Sequence, residues 1–147
     1  MKKRTGEPWM PAADYGRSLP AFTVNLVVRD IDRSLAFYTT VLEATVHYSD
    51  PDFAALRIGG AEFMLHADHA YEANPWATAL VPDAQRGLGA ELRLLGVDAD
   101  AVADRARSAN ALFKDVSVRG HGWREAMVVD PDGYVWAVGS LIESDSV

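Results

Sequence analysis

Between Phe22 and Val28 apolar and polar positions alternate. Val24, Leu26 and Val28 fall on one face, and Thr23, Asn25 and Val27 on the other, which is the period of a half-buried strand. The spacing then changes. Leu35, Tyr38 and Leu42 recur at helical intervals, with Phe37 and Val41 widening the stripe, and Asp30 or Asp32 is placed to cap the helix. Thr45–Tyr48 and Phe53–Ile58 read as short strands around a Ser49-Asp50-Pro51-Asp52 turn, and Gly59-Gly60 makes a tight hairpin into Glu62–His66.

The same order returns further on. Glu91–Leu95 reads as a strand, Ala99–Ala109 as a helix with Val102 and Ala106 inward, and Asn110 as its left-handed C-terminal residue. Phe113–Val118 is a strand. Trp123–Val129 and Tyr134–Val138 form a hairpin around Asp130-Pro131-Asp132-Gly133, the strongest turn signal in the chain. Asp30 ends the first strand of one copy and Asp98 that of the other. A repeated half-domain of strand, helix and three strands predicts an α+β fold of two βαβββ units around one shared cleft, where function would sit.

Residues 1–20 carry three prolines, two glycines and no hydrophobic period, so they read as an arm and not as a packed element. Trp9, Met10, Tyr15 and Leu19 are poor choices for a solvated tail, so the arm is expected to lie across the body or a partner chain. Residues 21–147 form a single domain: module one at about 22–66, a linker at 67–89 broken by Pro75, Pro82, Gly87 and Gly89, and module two at about 90–140. The 147 residues include no cysteine, which removes disulfides, thiol nucleophiles and cysteine-bound metals and fits a reducing cytoplasm. A net charge of −7 argues against nucleic acid as a partner. No apolar run is long enough to span a bilayer, and no apolar stretch follows MKKR as a secretory signal requires.

VNLVVRDIDRSLAFYTTVL and REAMVVDPDGYVWAVG together resemble the paired signatures of the vicinal oxygen chelate superfamily, which joins glyoxalases, bleomycin resistance proteins and extradiol dioxygenases. The likeness covers about residues 22–139. It implies two tandem βαβββ modules in a curved eight-stranded mixed sheet, with a concave ligand cleft and helices on the convex side. It also implies a homodimer. Glu43 stands where the family usually ends its first helix with glycine, which points to a different helix exit.

Members of that superfamily that use a metal take a His near the start of each module's first strand and a Glu from each module's last strand. The matching positions here are Thr23, Glu91, Met64 and Ala137. Divalent transition metals need three or more converging His, Asp or Glu groups, and of these four only Glu91 qualifies. No metal and no cofactor is therefore expected. A slip of one or two residues at Met64 would bring Glu62 or His66 into play, and His66, Asp68 and His69 form a separate local cluster that is either a metal site or a set of hydrogen-bonded loop residues.

Strand alternation places Thr23, Asn25, Met64 and His66 from module one, and Glu91, Arg93 and Ala137 from module two, on the cleft face. Glu91 and Arg93 either grip a polar ligand or form a structural ion pair. Trp123 and Trp76, with Tyr71, offer stacking surfaces for a flat or cationic ligand, Trp76 as a lid. Trp136 and Tyr38 read as core. No nucleophile triad, phosphate loop or dinucleotide fingerprint is present. The expectation is a metal-free, cytoplasmic, homodimeric protein of the bleomycin-resistance kind that sequesters a small molecule and leans away from catalysis. The alternative is a metal-dependent lyase, isomerase or dioxygenase with atypical ligands.

Overall fold

The computed structural model of the chain describes residues 1–143. Two compact units divide it: Met1–Thr39 with Glu43–Pro82, and Thr40–Leu42 with the chain from Asp83 on. Each contains one βαβββ module, and the fold is α+β.

Unit one holds α1 (Ala12–Ser18), β1 (Val24–Val28), α2 (Ile31–Thr40), β2 (Thr45–Ser49), β3 (Phe53–Ile58) and β4 (Ala61–Ala67). Its strands run in the order β1-β4-β3-β2, with β1 parallel to β4 and the other neighbours antiparallel. β1 starts at Val24, leaving Phe22 exposed. One sheet face, with Leu26, Val28, Phe63, Leu65, Ala54 and Leu56, is buried and apolar. Tyr38 of α2 is fully buried, with its ring 5.3 Å from that of Phe63. Asp30 starts the helix, its carboxylate accepting from the Arg33 amide at 2.8 Å.

The exit from α2 is the left-handed one even without glycine. Glu43 has φ 53°, and the Ala44 amide reaches back to the Tyr38 carbonyl at 2.9 Å. A Cβ in that region costs on the order of 1 kcal/mol, so the hydrogen bonds of the exit, and not the residue type, fix its geometry.

Unit two repeats the plan with β5 (Leu92–Leu95), α3 (Ala99–Ser108), β6 (Leu112–Val118), β7 (Trp123–Val129) and β8 (Val135–Leu141), in the order β5-β8-β7-β6. Asp98 caps α3, accepting from the Asp100 and Ala101 amides. Asn110 follows the helix at φ 54°. Val102, Ala103 and Ala106 of α3 are buried, and the helix packs on β6, β7 and β8, where Ala126, Val128, Trp136 and Val138 are buried in turn. In the Asp130–Gly133 turn one carboxylate oxygen of Asp130 accepts from three amides, those of Asp132, Gly133 and Tyr134, each at 2.9 Å. Gly133 has φ 106°, and a Cβ there would lie 2.4 Å from Gln85 Cγ, so the turn also seats the segment leading into β5.

The N-terminal arm packs on unit one and carries a helix that the sequence reading did not assign. It contains α1, and Tyr15 of that helix is 9% exposed. The Tyr15 ring meets Phe53 edge-on at 5.3 Å, while Trp9 stacks on Tyr48 at 5.5 Å. A seven-residue helix has little stability of its own; these tertiary contacts hold it. Among the described residues no helix is long and apolar enough to cross a membrane.

Candidate functional site

The turn at Gly59-Gly60 sets the register of β3 against β4. Phe53 then lies opposite His66, and Ala55 opposite Met64, while Asn25 of β1 lies beside Met64. Directly paired residues share a face. This second face of the unit one sheet is covered by the arm and not by a helix of the module.

Between arm and sheet lies a cavity of about 410 Å³, in the size range of small-molecule sites. Phe53, Met64, His66 and Tyr48 form its floor; Trp9, Met10, Tyr15 and Leu19 come from the arm, and Tyr71 follows β4. The rings form a near-continuous surface: His66 is 4.9 Å from Phe53 and 4.7 Å from Tyr71, and Trp9 is 5.7 Å from Tyr15.

The polar groups of this wall are mostly occupied. His66 Nδ1 lies 2.8 Å from Asn25 Oδ1. An amide oxygen only accepts, so Nδ1 carries the proton and Nε2 keeps a lone pair. Burial lowers the His66 pKa, against a smaller opposing effect of Asp50, so the ring is neutral at pH 7. Tyr48 donates to Asp50 at 2.8 Å. Asp52, 3% exposed, accepts from the amides of Lys3 (2.7 Å) and Arg4 (3.1 Å) and contacts His69 Nε2 at 2.7 Å. The Tyr15 hydroxyl is buried with no hydrogen-bond partner among the described residues. Burial first, and then the charge of Glu62, push its pKa up to about 12.

The residues marked from the sequence fall into two groups. Asn25, Met64 and His66 meet on the unit one face. Thr23 precedes β1, and its hydroxyl donates to the Pro20 carbonyl at 3.1 Å. Trp76 is 46% exposed and outside the cavity wall; its ring lies 5.7 Å from that of Tyr71, so it braces a wall residue and forms no lid. In unit two, Arg93 of β5 lies beside Ala137 of β8, which is fully buried, and Trp123 is half-buried at the start of β7. Arg93 binds Glu91 at 2.7 Å and also Glu125 at 2.6 Å. Glu125 is 3% exposed and is further approached by Arg119 at 3.4 Å and His121 at 3.7 Å. Of the two readings of Glu91 and Arg93, the ion pair is the one present.

Sequence reasoning missed Trp9, Tyr15, Tyr48, Phe53 and Glu125. The glycine turn carries the signal for Phe53: a two-residue hairpin fixes which β3 residue faces His66. Glu125 shares the strand parity of Trp123 and Met127, so the parity that places Trp123 places it too.

Residues 21–138 match the sequence profile of the glyoxalase/bleomycin resistance protein/dioxygenase superfamily. The chain belongs to this superfamily. Among solved structures, it is similar to a glyoxalase/bleomycin resistance protein/dioxygenase family enzyme from Burkholderia phytofirmans PsJN, with 26% identity, 82% of this chain and 97% of that one covered, and a TM-score of 0.66. A protein of unknown function from Agrobacterium tumefaciens shares the fold at 24% identity, 85% and 96% coverage and a TM-score of 0.69. So does a glyoxalase/bleomycin resistance protein/dioxygenase from Nocardioides, at 18% identity, 90% and 92% coverage and a TM-score of 0.65. No curated protein matches the chain.

The superfamily's metal positions do not fit a metal in this member. Thr23 is turned to Pro20, Met64 and Ala137 offer no hard donor, and Glu91 is held by Arg93. The cluster at the end of β4 is dispersed as well, since His66 binds Asn25 and His69 binds Asp52. Among the described residues no three His, Asp or Glu side chains converge to hold an ion.

Proposed function

We propose that this protein is a metal-free binder of a flat organic molecule, of the bleomycin-resistance kind within its superfamily, and that the ligand sits in the unit one cavity. One observation carries the reading: a 410 Å³ cavity walled by Trp9, Tyr15, Tyr48, Phe53, His66 and Tyr71. Aromatic walls supply broad stacking surface and few reactive groups, which suits holding a molecule and not converting it. His66 is neutral and fixed by Asn25, and the described wall holds no serine, threonine or cysteine.

The test is a thermal-shift screen of planar aromatic natural products on chelator-treated protein, followed by calorimetric titration of any hit and mass spectrometry of the recovered ligand. The expected result is binding that the chelator leaves unchanged, with the ligand recovered intact. Trp9→Ala should weaken a hit about fivefold, the worth of one good stacking contact. Binding that requires an added divalent metal, or a chemically altered ligand, would overturn the reading.

A homodimer is part of the same proposal. Phe113 and Val118 leave apolar surface exposed on β6, an edge strand of its sheet. Sedimentation at tens of micromolar should give a dimer, and a monomer would remove this part.

A further inference from the structure

We infer that the unit one cavity selects a planar aromatic molecule bearing an N–H or O–H group, and that Nε2 of His66 recognises that group by accepting its hydrogen bond. The inference rests on the binding function proposed above and specifies its ligand.

The strand register places the acceptor. His66 pairs with Phe53 across β3 and β4 and stands on the sheet face that the arm covers. Its ring lines the cavity between those of Phe53 and Tyr71, at 4.9 and 4.7 Å. Nδ1 is turned to Asn25 Oδ1 at 2.8 Å, so the proton sits there. Nε2, on the ring edge away from Cβ, carries the lone pair. It makes no hydrogen bond among the described residues, yet, unlike the Tyr15 hydroxyl, it is not sealed from solvent. Burial of the ring lowers the His66 pKa, which keeps the lone pair free of a proton at pH 7.

The other polar groups of the wall leave the choice to His66. The Tyr48 hydroxyl donates to Asp50, and the Asp52 oxygens already hold the Lys3 and Arg4 amides and His69. The Tyr71 hydroxyl can donate or accept, so it imposes no preference. Charge is mixed around the cavity. Lys2 and Arg4 bring positive charge to the wall and draw an anion; Asp52 in the wall, Asp50 acting on His66 and Glu62 acting on Tyr15 oppose them. These opposed charges select no sign of ligand. Nε2 does select. A flat ligand that enters strips it of solvent, and only a ligand donor replaces the lost hydrogen bond. An analogue of the same shape without a donor leaves a desolvated acceptor behind and binds less tightly.

Indole and benzofuran test this on the full chain. The two share a bicyclic shape, but indole carries an N–H and benzofuran carries no donor. Calorimetric titration should find indole about fivefold tighter, the worth of one neutral hydrogen bond. In His66→Phe that ratio should fall to about one. NMR of the His66 ring nitrogens in the parent adds a readout that does not depend on the variant folding. It should show the proton on Nδ1, and the Nε2 signal should move on adding indole and not on adding benzofuran. Equal or reversed affinities in the parent overturn the inference while leaving small-molecule binding intact. So does a His66→Phe variant that keeps the preference, a proton found on Nε2, or an Nε2 signal that indole leaves in place. If neither probe binds the parent, both the inference and the proposed function fall.

Discussion

Replacing Gly139 with alanine should destabilise the protein by about 3 kcal/mol, the upper end of what overpacking costs in a core. Gly139 lies in β8, directly opposite Glu125 of β7. A Cβ there would sit 2.1 Å from the Arg124 carbonyl oxygen and 2.9 Å from Glu125 Cα. These are backbone atoms of a paired strand, so no rotamer change relieves the clash. The Gly139 carbonyl is also fixed, accepting from the Gly96 and Val97 amides at 2.8 and 3.1 Å. β8 is held between β5 and β7, and relief requires breaking one of the two ladders. Displacement of β7 would also move Glu125, the buried carboxylate that holds Arg93. Urea unfolding should show a lower midpoint with an unchanged slope. Gly120→Ala is the control, because nothing lies within 4 Å of a Cβ at that position. Equal midpoints for the two variants would contradict the account.

Gly139 also shows what was legible in the sequence and what was not. The strands around it were readable, because alternation survives in TVNLVVRD and in REAMVV, and because Asp30 and Asp98 cap equivalent helices. Parity placed Trp136 in the core, where it is buried, and put Arg93 and Ala137 on one face, where β5 and β8 pair them. These features are local: period, cap and turn chemistry act within a few residues. The cavity is not local. Its floor depends on the β3–β4 register, and its roof on a seven-residue helix whose sequence, AADYGRS, includes a mid-helix glycine. Tyr15 packing on Phe53 holds α1, and no window of the chain contains both residues. Arg93 illustrates a second limit. Alternation gave its face but not its partner, since Glu125 lies on a strand that reaches Arg93 only across β8.

Removing the Asp52 carboxylate should release the N-terminal arm. Asp52 sits in the turn between β2 and β3 and is almost fully buried. Its oxygens accept from the Lys3 and Arg4 amides and bind His69, so one side chain ties the start of the arm to the body of unit one. In Asp52→Ala those donors lose their acceptor. At about 1.5–3 kcal/mol for a hydrogen bond to a charged group, the loss corresponds to roughly tenfold to hundredfold faster amide exchange at Lys3 and Arg4. Acid should act in the same direction. Burial alone would raise the Asp52 pKa, but the Lys3 amide, His69 and the Arg4 amide outweigh it, and the folded value is lowered. A lowered carboxylate contributes its stability above the unfolded value, near 3.8, and loses it as pH falls through the folded value. Arm docking should therefore hold from neutral pH down to about 4 and weaken below it. Because Trp9 and Tyr15 reach the cavity from the same arm, the fraction of molecules with the arm docked scales the apparent ligand affinity. Asp52→Ala should thus weaken any planar aromatic ligand found in the screen at pH 7 together with the rise in exchange. Exchange at Lys3 and Arg4 that is unchanged by the substitution would show that Asp52 does not hold the arm. Faster exchange at full affinity for such a ligand would show that the arm does not close the site.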